Sequence, residues 1–127
     1  MPVAALQHIN IRARDVERTR DFYVRILGLR VGDRPPFTST GYWLYLGSDP
    51  VIHLVQKTPD EPPSSSDTGA IDHVAFRGID LEATRLALTR EGVGFREAVV
   101  SRDDSVQLFV RDPDGVTIEL NFDFRSA

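Results

Sequence analysis

The stretch LQHINIR, residues 6–12, is echoed by IDHVAFR, residues 71–77, 65 positions further along the chain. Each stretch places a histidine third in a short apolar run and ends in arginine. A single histidine in an apolar strand is more often a partly buried core residue than a ligand. Two histidines in the same register instead indicate that one structural unit is written twice, which predicts further matches at this spacing.

Such matches run through both halves of the chain. Asp15 and Asp80 stand where a helix N-cap belongs, and Gly28 and Gly92 stand where a helix ends in a left-handed residue. Two pairs of apolar strands then match: YWLYL (42–46) with VQLFV (106–110), and VIHLV (51–55) with TIELN (117–121). Each half therefore reads strand, helix, strand, strand, strand.

This order predicts an α+β fold of two βαβββ modules in tandem, with curved mixed sheets around a shared cleft. The first module spans 1–56 and the second spans 70–127. Between them, residues 57–69 contain no apolar side chain and form a polar surface linker. Alone, each module is too small to bury enough surface for stability, so the two together make one domain.

Apolar spacing predicts which side chains pack between each helix and its sheet. On the first strand, Ile9 and Ile11 alternate with Leu6, His8, Asn10 and Arg12, which share the other face. In the strand 42–46, Leu44 and Leu46 alternate with Trp43 and Tyr45. The pattern favours the leucines beneath the helix and the aromatic residues on the cleft face, and the reverse arrangement, with the aromatic residues in the core, stays open. The helices contribute the following core residues: Val16, Phe22, Tyr23, Ile26 and Leu27, and then Leu81, Leu86, Ala87 and Leu88.

The amino-acid composition argues against several classes of function. The chain has 127 residues, a net charge of −4 and a pI of about 5.3, which argues against nucleic-acid and anionic-membrane surfaces. It has no cysteine, so thiolate nucleophiles and sulfur-ligated metals are excluded. No signal peptide or membrane span is recognisable, which predicts a cytoplasmic location. Asp103 and Asp104 are expected to lie in a solvated turn.

The repeat places all three histidines of the chain. His8 and His73 occupy equivalent positions on the first strands, and His53 and Glu119 occupy equivalent positions on the last strands. Three imidazoles and one carboxylate suit a divalent transition metal such as Zn, Ni, Co, Fe or Mn. With four protein ligands in an open cleft, such an ion keeps positions for water or substrate and acts as a Lewis acid. The sequence therefore predicts a metal site formed by these four residues.

The doubled module, together with DFYVRILGL (21–29) and RDPDGVTIEL (111–120), resembles the vicinal oxygen chelate superfamily. The resemblance is closest to glyoxalase I-like metalloenzymes, which fill all four ligand positions and carry a Glu in the place of Glu119. It implies a lyase or isomerase that acts on a small oxygen-chelating substrate through an enolate-type intermediate, with Glu119 as both ligand and catalytic base. The chain departs from bacterial glyoxalases at His53, where they carry a Glu.

Two other functions in this superfamily stay open. Extradiol ring-cleaving dioxygenases use two His and one Glu, which His8, His73 and Glu119 would supply, with no ligand at the position of His53. Drug- or metabolite-binding resistance proteins of the same fold bind no metal, and the histidines would then be incidental. The resemblance also implies a homodimer whose sites are shared between chains, although a compact monomer that pairs its own two halves would use the same ligands and stays open.

Several other side chains are candidates for substrate binding. Asn10 lies two residues from His8 on the same strand face and could orient that ligand. Trp43 and Tyr45 could form a wall for an apolar part of a small-molecule substrate. The guanidinium group suits bidentate binding of a carboxylate, and the candidates for this role are Arg12, Arg34, Arg96 and Arg111.

Overall fold

A computed structural model describes residues 2–100 and 104–123 of the chain. It divides into two compact units, Met1–Pro63 and Ser64–Ala127. The division falls within the segment 57–69 that the sequence identifies as a linker. Asp104 lies in a turn with a φ of 50°, whereas Asp103 is outside the described residues.

The first unit contains one βαβββ module. Its mixed sheet has the order β1-β4-β3-β2, in which β1 and β4 are parallel and the other neighbours are antiparallel. The elements are β1 (Ile9–Ala13), α1 (Val16–Arg25), β2 (Arg30–Gly32), β3 (Gly41–Leu46) and β4 (Asp49–Gln56).

The second unit repeats this architecture with the order β5-β8-β7-β6, again with its first and last strands parallel. The elements are β5 (Val74–Gly78), α2 (Leu81–Arg90), β6 (Arg96–Val100), β7 (Ser105–Arg111) and β8 (Thr117–Asp123). The prediction of an α+β fold built from two βαβββ modules is therefore confirmed.

Local sequence determines where both helices begin and end. The Asp15 carboxylate accepts a hydrogen bond from the Arg18 amide at 3.2 Å, and the Asp80 carboxylate accepts one from the Ala83 amide at 3.0 Å. These side chains satisfy amide groups that have no partner within the first helical turn. Past the last turns, Gly28 and Gly92 have φ of 76° and 69°, which glycine adopts without strain.

The core of each module lies between its helix and one face of its sheet. In the first module, Val16 and Tyr23 of α1 are fully buried, as are Leu44, Ile52 and Leu54 of the sheet. Burying a large apolar side chain stabilises the fold by about 2 kcal/mol. The opposite sheet face carries His53 of β4 and Glu119 of β8, and His8 and His73 directly precede β1 and β5.

Two packing predictions are wrong. Leu46 is 54% exposed, because an irregularity in the pairing of β3 with β4 after Leu44 shifts the register at the strand end. Leu86 is 67% exposed. Ala87 and Leu88 occupy the buried face of α2, and Leu86 lies about 100° around the helix from Ala87, which places it outside that face.

The linker is attached to the first module by an ion pair. The Glu61 carboxylate accepts two hydrogen bonds from Arg12, at 2.5 and 2.8 Å, and a third from the Thr58 amide at 2.7 Å. The Arg12 bond, followed by the Thr58 amide, lowers the pKa of Glu61 to about 2. Arg12, a candidate for substrate binding, is therefore engaged within the chain.

We expect Glu61→Gln to reduce the hydrogen-exchange protection of the Thr58 amide severalfold at pH 6, since the charged acceptor is lost. Because the folded pKa of Glu61 is below its ordinary 4.5, the pair stabilises the linker fully above that value. This stabilisation is lost progressively as pH falls from 4.5 to about 2, so wild-type protection should decrease over this range, whereas that of Glu61→Gln should not. Glu82→Gln in α2 is the control, and equal Thr58 protection in all three proteins would contradict the assignment.

Candidate functional site

Three aromatic rings form a stack on the face of the first sheet opposite α1, where His53 is only 9% exposed. His53 lies in the middle of β4, directly opposite Trp43 of β3, with their rings 4.0 Å apart. The ring of His8 lies 3.7 Å from the ring of His53, and both ring pairs are within 11° of parallel. His8 and His53, two of the four predicted ligands, therefore lie side by side in the first module. The predicted first strand is too long, however, since β1 begins at Ile9 and His8 precedes it.

Hydrogen bonds leave one nitrogen free on each ring of this pair. The His53 Nε2–H group donates to the Pro50 carbonyl at 3.1 Å, and the His8 Nδ1–H group donates to Gln7 Oε1 at 2.9 Å. Burial lowers the pKa of His53, and the neighbouring His8 lowers it further. A neutral imidazole is the form that binds a metal. Because the rings are stacked, their free nitrogens lie in parallel planes, and one ring has to rotate before both could bind one ion.

The second module carries the other pair. Glu119 lies in β8 between Ile118 and Leu120, which are buried on the helix side, so its carboxylate lies on the opposite face of the sheet, where the side chain is 14% exposed. His73 precedes β5, and its Nε2 lies 3.6 Å from Glu119 Oε1. Ligand atoms that share one tetrahedral ion are roughly 3.3 Å apart. This pair therefore has the donor types and the separation that a divalent ion requires.

Both members of this pair are oriented by a neighbouring side chain. The His73 Nδ1–H group donates to Asp72 at 2.8 Å, and this bond raises the pKa of His73, with a smaller contribution from Glu119. The Asn121 amide donates to Glu119 Oε2 at 2.8 Å, which leaves Oε1 directed at His73. Sequence reasoning missed Asn121, although it lies two residues from Glu119 on one strand face, as Asn10 lies two residues from His8.

A cavity of about 730 Å³ opens beside this pair within the second module. Its wall includes His73, Glu119, Phe109, Arg96 and Arg111. Two of the predicted substrate-binding arginines therefore lie at the same cavity as two of the four predicted metal ligands. Phe109 is directly opposite Glu119 in the β7–β8 ladder, as Trp43 is opposite His53. Trp43 therefore corresponds to Phe109 in the structure. The sequence match of YWLYL with VQLFV, which aligned Trp43 with Gln107, is wrong by two residues.

The remaining predicted substrate residues lie in the first module. Asn10 is exposed and is the β1 partner of His53. The Tyr45 hydroxyl donates to the Asp33 carbonyl at 2.6 Å, and the Arg34 guanidinium donates to Ser39 at 3.0 and 3.1 Å. Tyr45 and Arg34 therefore have structural partners, whereas the Trp43 ring is held against His53.

Each module on its own supplies two metal donors. Across residues 2–100 and 104–123, no group of three or more His, Asp or Glu side chains lies close enough together to hold an ion. The donor chemistry of the His73–Glu119 pair fits a divalent ion, and the His8–His53 pair fits only after a ring rotation. The four-ligand site stays a prediction.

If His73 binds a metal, Asp72→Asn should weaken that binding about tenfold. Carboxylates behind a ligating histidine typically contribute 10–100-fold to metal affinity, and Asp72 is 92% exposed, which favours the lower end. The measurement is a competition titration with a chromophoric zinc chelator. Asp67→Asn, in the linker, is the control, and equal affinities of the two variants would exclude a role for Asp72.

The two βαβββ modules place the chain in a class of proteins that are built from this unit in pairs. Comparisons with known proteins identify the family. A model of the glyoxalase/bleomycin resistance protein/dioxygenase superfamily matches residues 5–120. A lactoylglutathione lyase of Escherichia coli O157:H7 is 30% identical over 122 residues, which cover 91% of this chain and 90% of that protein. The chain belongs to the glyoxalase/bleomycin resistance protein/dioxygenase superfamily.

Two further similarities agree with this assignment. A protein of Arabidopsis thaliana named glyoxylase I 4 is 28% identical over 123 residues, covering 93% of this chain and 70% of that protein. The crystal structure of a glyoxylase/bleomycin resistance protein/dioxygenase domain from Frankia sp. EAN1pec superposes with a TM-score of 0.78 at 17% identity, covering 95% and 98% of the two chains. In the described part of this chain, no helix is long and apolar enough to cross a membrane.

Proposed function

We propose that the protein is a divalent-metal-dependent lyase or isomerase of the glyoxalase I type, which acts on a small oxygen-chelating substrate. One observation carries the proposal: the His73 imidazole and the Glu119 carboxylate meet at 3.6 Å at the wall of a 730 Å³ cavity. A nitrogen and an oxygen donor at this separation suit Zn, Ni, Co, Fe or Mn. The similarity to lactoylglutathione lyases supports the reaction class.

The proposed ligands of the ion are His8, His53, His73 and Glu119. When bound, such an ion would polarise the chelating oxygens of the substrate and stabilise negative charge that develops there. His73 is held for ligation by Asp72, which binds its Nδ1–H group and leaves Nε2 available. His8 and His53 keep Nε2 and Nδ1 free, respectively.

Glu119 is the proposed catalytic base. Its Oε2 is held by the Asn121 amide, and its Oε1 faces His73 and the cavity. We propose that Oε1, once substrate binding has released it from ligation, takes the proton from the carbon that bears one chelating oxygen and returns it to the neighbouring carbon. A positioned carboxylate of this kind typically accelerates proton transfer 10²- to 10⁴-fold.

Metal analysis and activity together test this proposal. The protein is purified without an affinity tag, dialysed in turn against Zn, Ni, Co, Mn and Fe(II), and analysed for bound metal. Each loaded form is then assayed with the hemithioacetal of methylglyoxal and glutathione, and with acyl-CoA epimers. We expect about one equivalent of metal per chain and turnover with at least one of these substrates. Less than a tenth of an equivalent of every metal would overturn the proposal and leave a metal-free drug- or metabolite-binding protein.

A ring-cleaving dioxygenase is the second candidate function, and the environment of His53 favours it. The ring is held between Trp43 and His8, and its Nε2 is bonded to Pro50. If His53 is not a ligand, then His8, His73 and Glu119 remain, and two histidines with one carboxylate are the ligand set of non-haem Fe(II) oxygenases. Oxygen uptake with catechols after Fe(II) loading, without turnover of the hemithioacetal, would establish this function.

We further propose that the protein acts as a cytoplasmic homodimer on a small-molecule substrate. The acidic charge and the absence of cysteine support the location. The dimer is supported by apolar side chains that the single chain leaves exposed, among them Ile79, Leu86 and Val99 of the second module. Light scattering coupled to size exclusion would measure the oligomeric state, and a monomer at micromolar concentration would contradict the dimer.

A further inference from the structure

Four arginines are candidates for holding an acidic group of the substrate, and the structure separates them into two kinds. Arg12 forms a bidentate ion pair with Glu61, and Arg34 donates two hydrogen bonds to Ser39. Arg96 and Arg111 instead line the cavity beside Glu119. Among the residues that the structure describes, neither of these two guanidinium groups has a hydrogen-bond or ion-pair partner, so their N–H donors remain available to a ligand.

The register of the second sheet places these donors beside the proposed catalytic base. Arg96, Phe109 and Glu119 are consecutive neighbours across β6, β7 and β8. The Arg96 guanidinium lies over the Phe109 ring, with its central carbon 4.2 Å from the ring centroid. A guanidinium held over an aromatic ring in this way gains a cation–π contact and still has N–H donors that can bind a ligand. Arg111 lies two residues beyond Phe109 on β7, next to the same cavity.

The charge of the cavity wall gives these arginines a function. Glu119 and Asp72 both line the cavity, and their carboxylates oppose the entry of an anionic molecule. The guanidinium groups of Arg96 and Arg111 have no carboxylate partner among the described residues, so they attract an anionic molecule to their side of the cavity. The planar fork of arginine matches a carboxylate by two parallel hydrogen bonds.

We infer that the substrate is a carboxylic acid, whose carboxylate binds to Arg96 and Arg111 while its two chelating oxygens lie at the His73–Glu119 pair. The inference rests on the proposed function, because it takes the chelating end of the substrate to lie at a metal. It narrows the substrate class to acids that carry a carboxylate in addition to the chelating oxygens. Arg96 and Arg111 then determine specificity and take no part in the proton transfer.

Two acids of equal carbon chain length test the inference by calorimetric titration of the cobalt-loaded protein. Both 2-oxoglutarate and 2-oxopentanoate chelate a metal through one carboxylate and the 2-oxo group, but only 2-oxoglutarate has a second carboxylate. We expect 2-oxoglutarate to bind at least about tenfold more tightly, since charge-assisted hydrogen bonds contribute this much or more. Arg96→Gln and Arg111→Gln should reduce the difference to about threefold, because they weaken the binding of 2-oxoglutarate more than that of the singly charged 2-oxopentanoate.

Two further variants test whether the preference for 2-oxoglutarate depends on the two cavity arginines and on the shape of the guanidinium group. Arg90→Gln removes the same charge from the end of α2, away from the cavity, and should keep the wild-type preference. Arg96→Lys keeps the charge but loses the planar fork, so we expect it to recover only part of the preference. Cobalt content and thermal unfolding confirm that each variant is folded and loaded.

The outcomes separate this inference from the proposed function. Equal binding of the two acids by the cobalt-loaded wild-type protein would overturn the inference and leave the metal site intact. Tighter binding of 2-oxo-4-phosphonobutanoate than of 2-oxoglutarate would also overturn it, because the site would then prefer a tetrahedral anion. A protein that binds no cobalt would contradict the proposed function, and glutarate binding to the metal-free wild type and to the two variants would then decide whether the arginines bind a carboxylate.

Discussion

Glu119→Gln is expected to lower turnover about a thousandfold, the largest effect predicted for any single substitution in the site. Glutamine keeps the length of the side chain and can still bond to Asn121, which now donates to Glu119 at 2.8 Å. It removes the negative charge that both proposed roles of Glu119, proton acceptor and metal ligand, require. The measurement is kcat with the hemithioacetal of methylglyoxal and glutathione, together with wash-in of solvent deuterium at the reacting carbon.

The matched control for this substitution is Glu97→Gln in β6. Glu97 is paired with Arg85 of the helix, and the Arg85 bond lowers the pKa of Glu97, so it lies in an ion pair away from the cavity. Its loss should leave kcat within about twofold of wild type. Bound metal then separates the two roles of Glu119: metal lost in Glu119→Gln indicates a ligand, and metal retained without turnover indicates the base alone. Full metal and full turnover would exclude Glu119 from the site.

Much of the fold could be predicted because its signals are local. Asp15 and Asp80 cap helices in any context that leaves the next amides free, and Gly28 and Gly92 mark positions where a side chain would be strained. The irregularity after Leu44 could not be predicted, since it depends on how β3 meets β4. It changes which residues are opposite each other, and this is why Leu46 is exposed.

Part of the site could have been found by counting residues. The ladder that starts at Arg111 and Thr117, beside the DPDG turn, places Phe109 opposite Glu119 without further information. The same count fails for Trp43 and His53, because the irregularity in β3 intervenes. The stacking of His8 on His53 depends on side-chain torsions, and the pairing of Arg12 with Glu61 depends on the path of the linker. Neither leaves a pattern in the sequence.

His73→Ala is expected to weaken metal binding at least about a hundredfold, beyond the range found when only an outer partner of a ligand is lost. The imidazole Nε2 that meets Glu119 Oε1 at 3.6 Å is the nitrogen donor best placed for an ion, and alanine removes it completely. Competition against a chromophoric zinc chelator measures the effect. Wild-type affinity in this variant would exclude His73 from the metal site.

The same titration on His53→Phe decides between the two enzymatic functions. Phenylalanine keeps a flat ring between Trp43 and His8, where the His53 ring now stacks at 4.0 and 3.7 Å, but it has no nitrogen donor. In a four-ligand lyase or isomerase, the loss of affinity should approach that of His73→Ala. In a dioxygenase that uses His8, His73 and Glu119, affinity should stay within about threefold of wild type. The result with His53→Phe therefore tests the ligand set itself, because the stack remains and only the donor is removed.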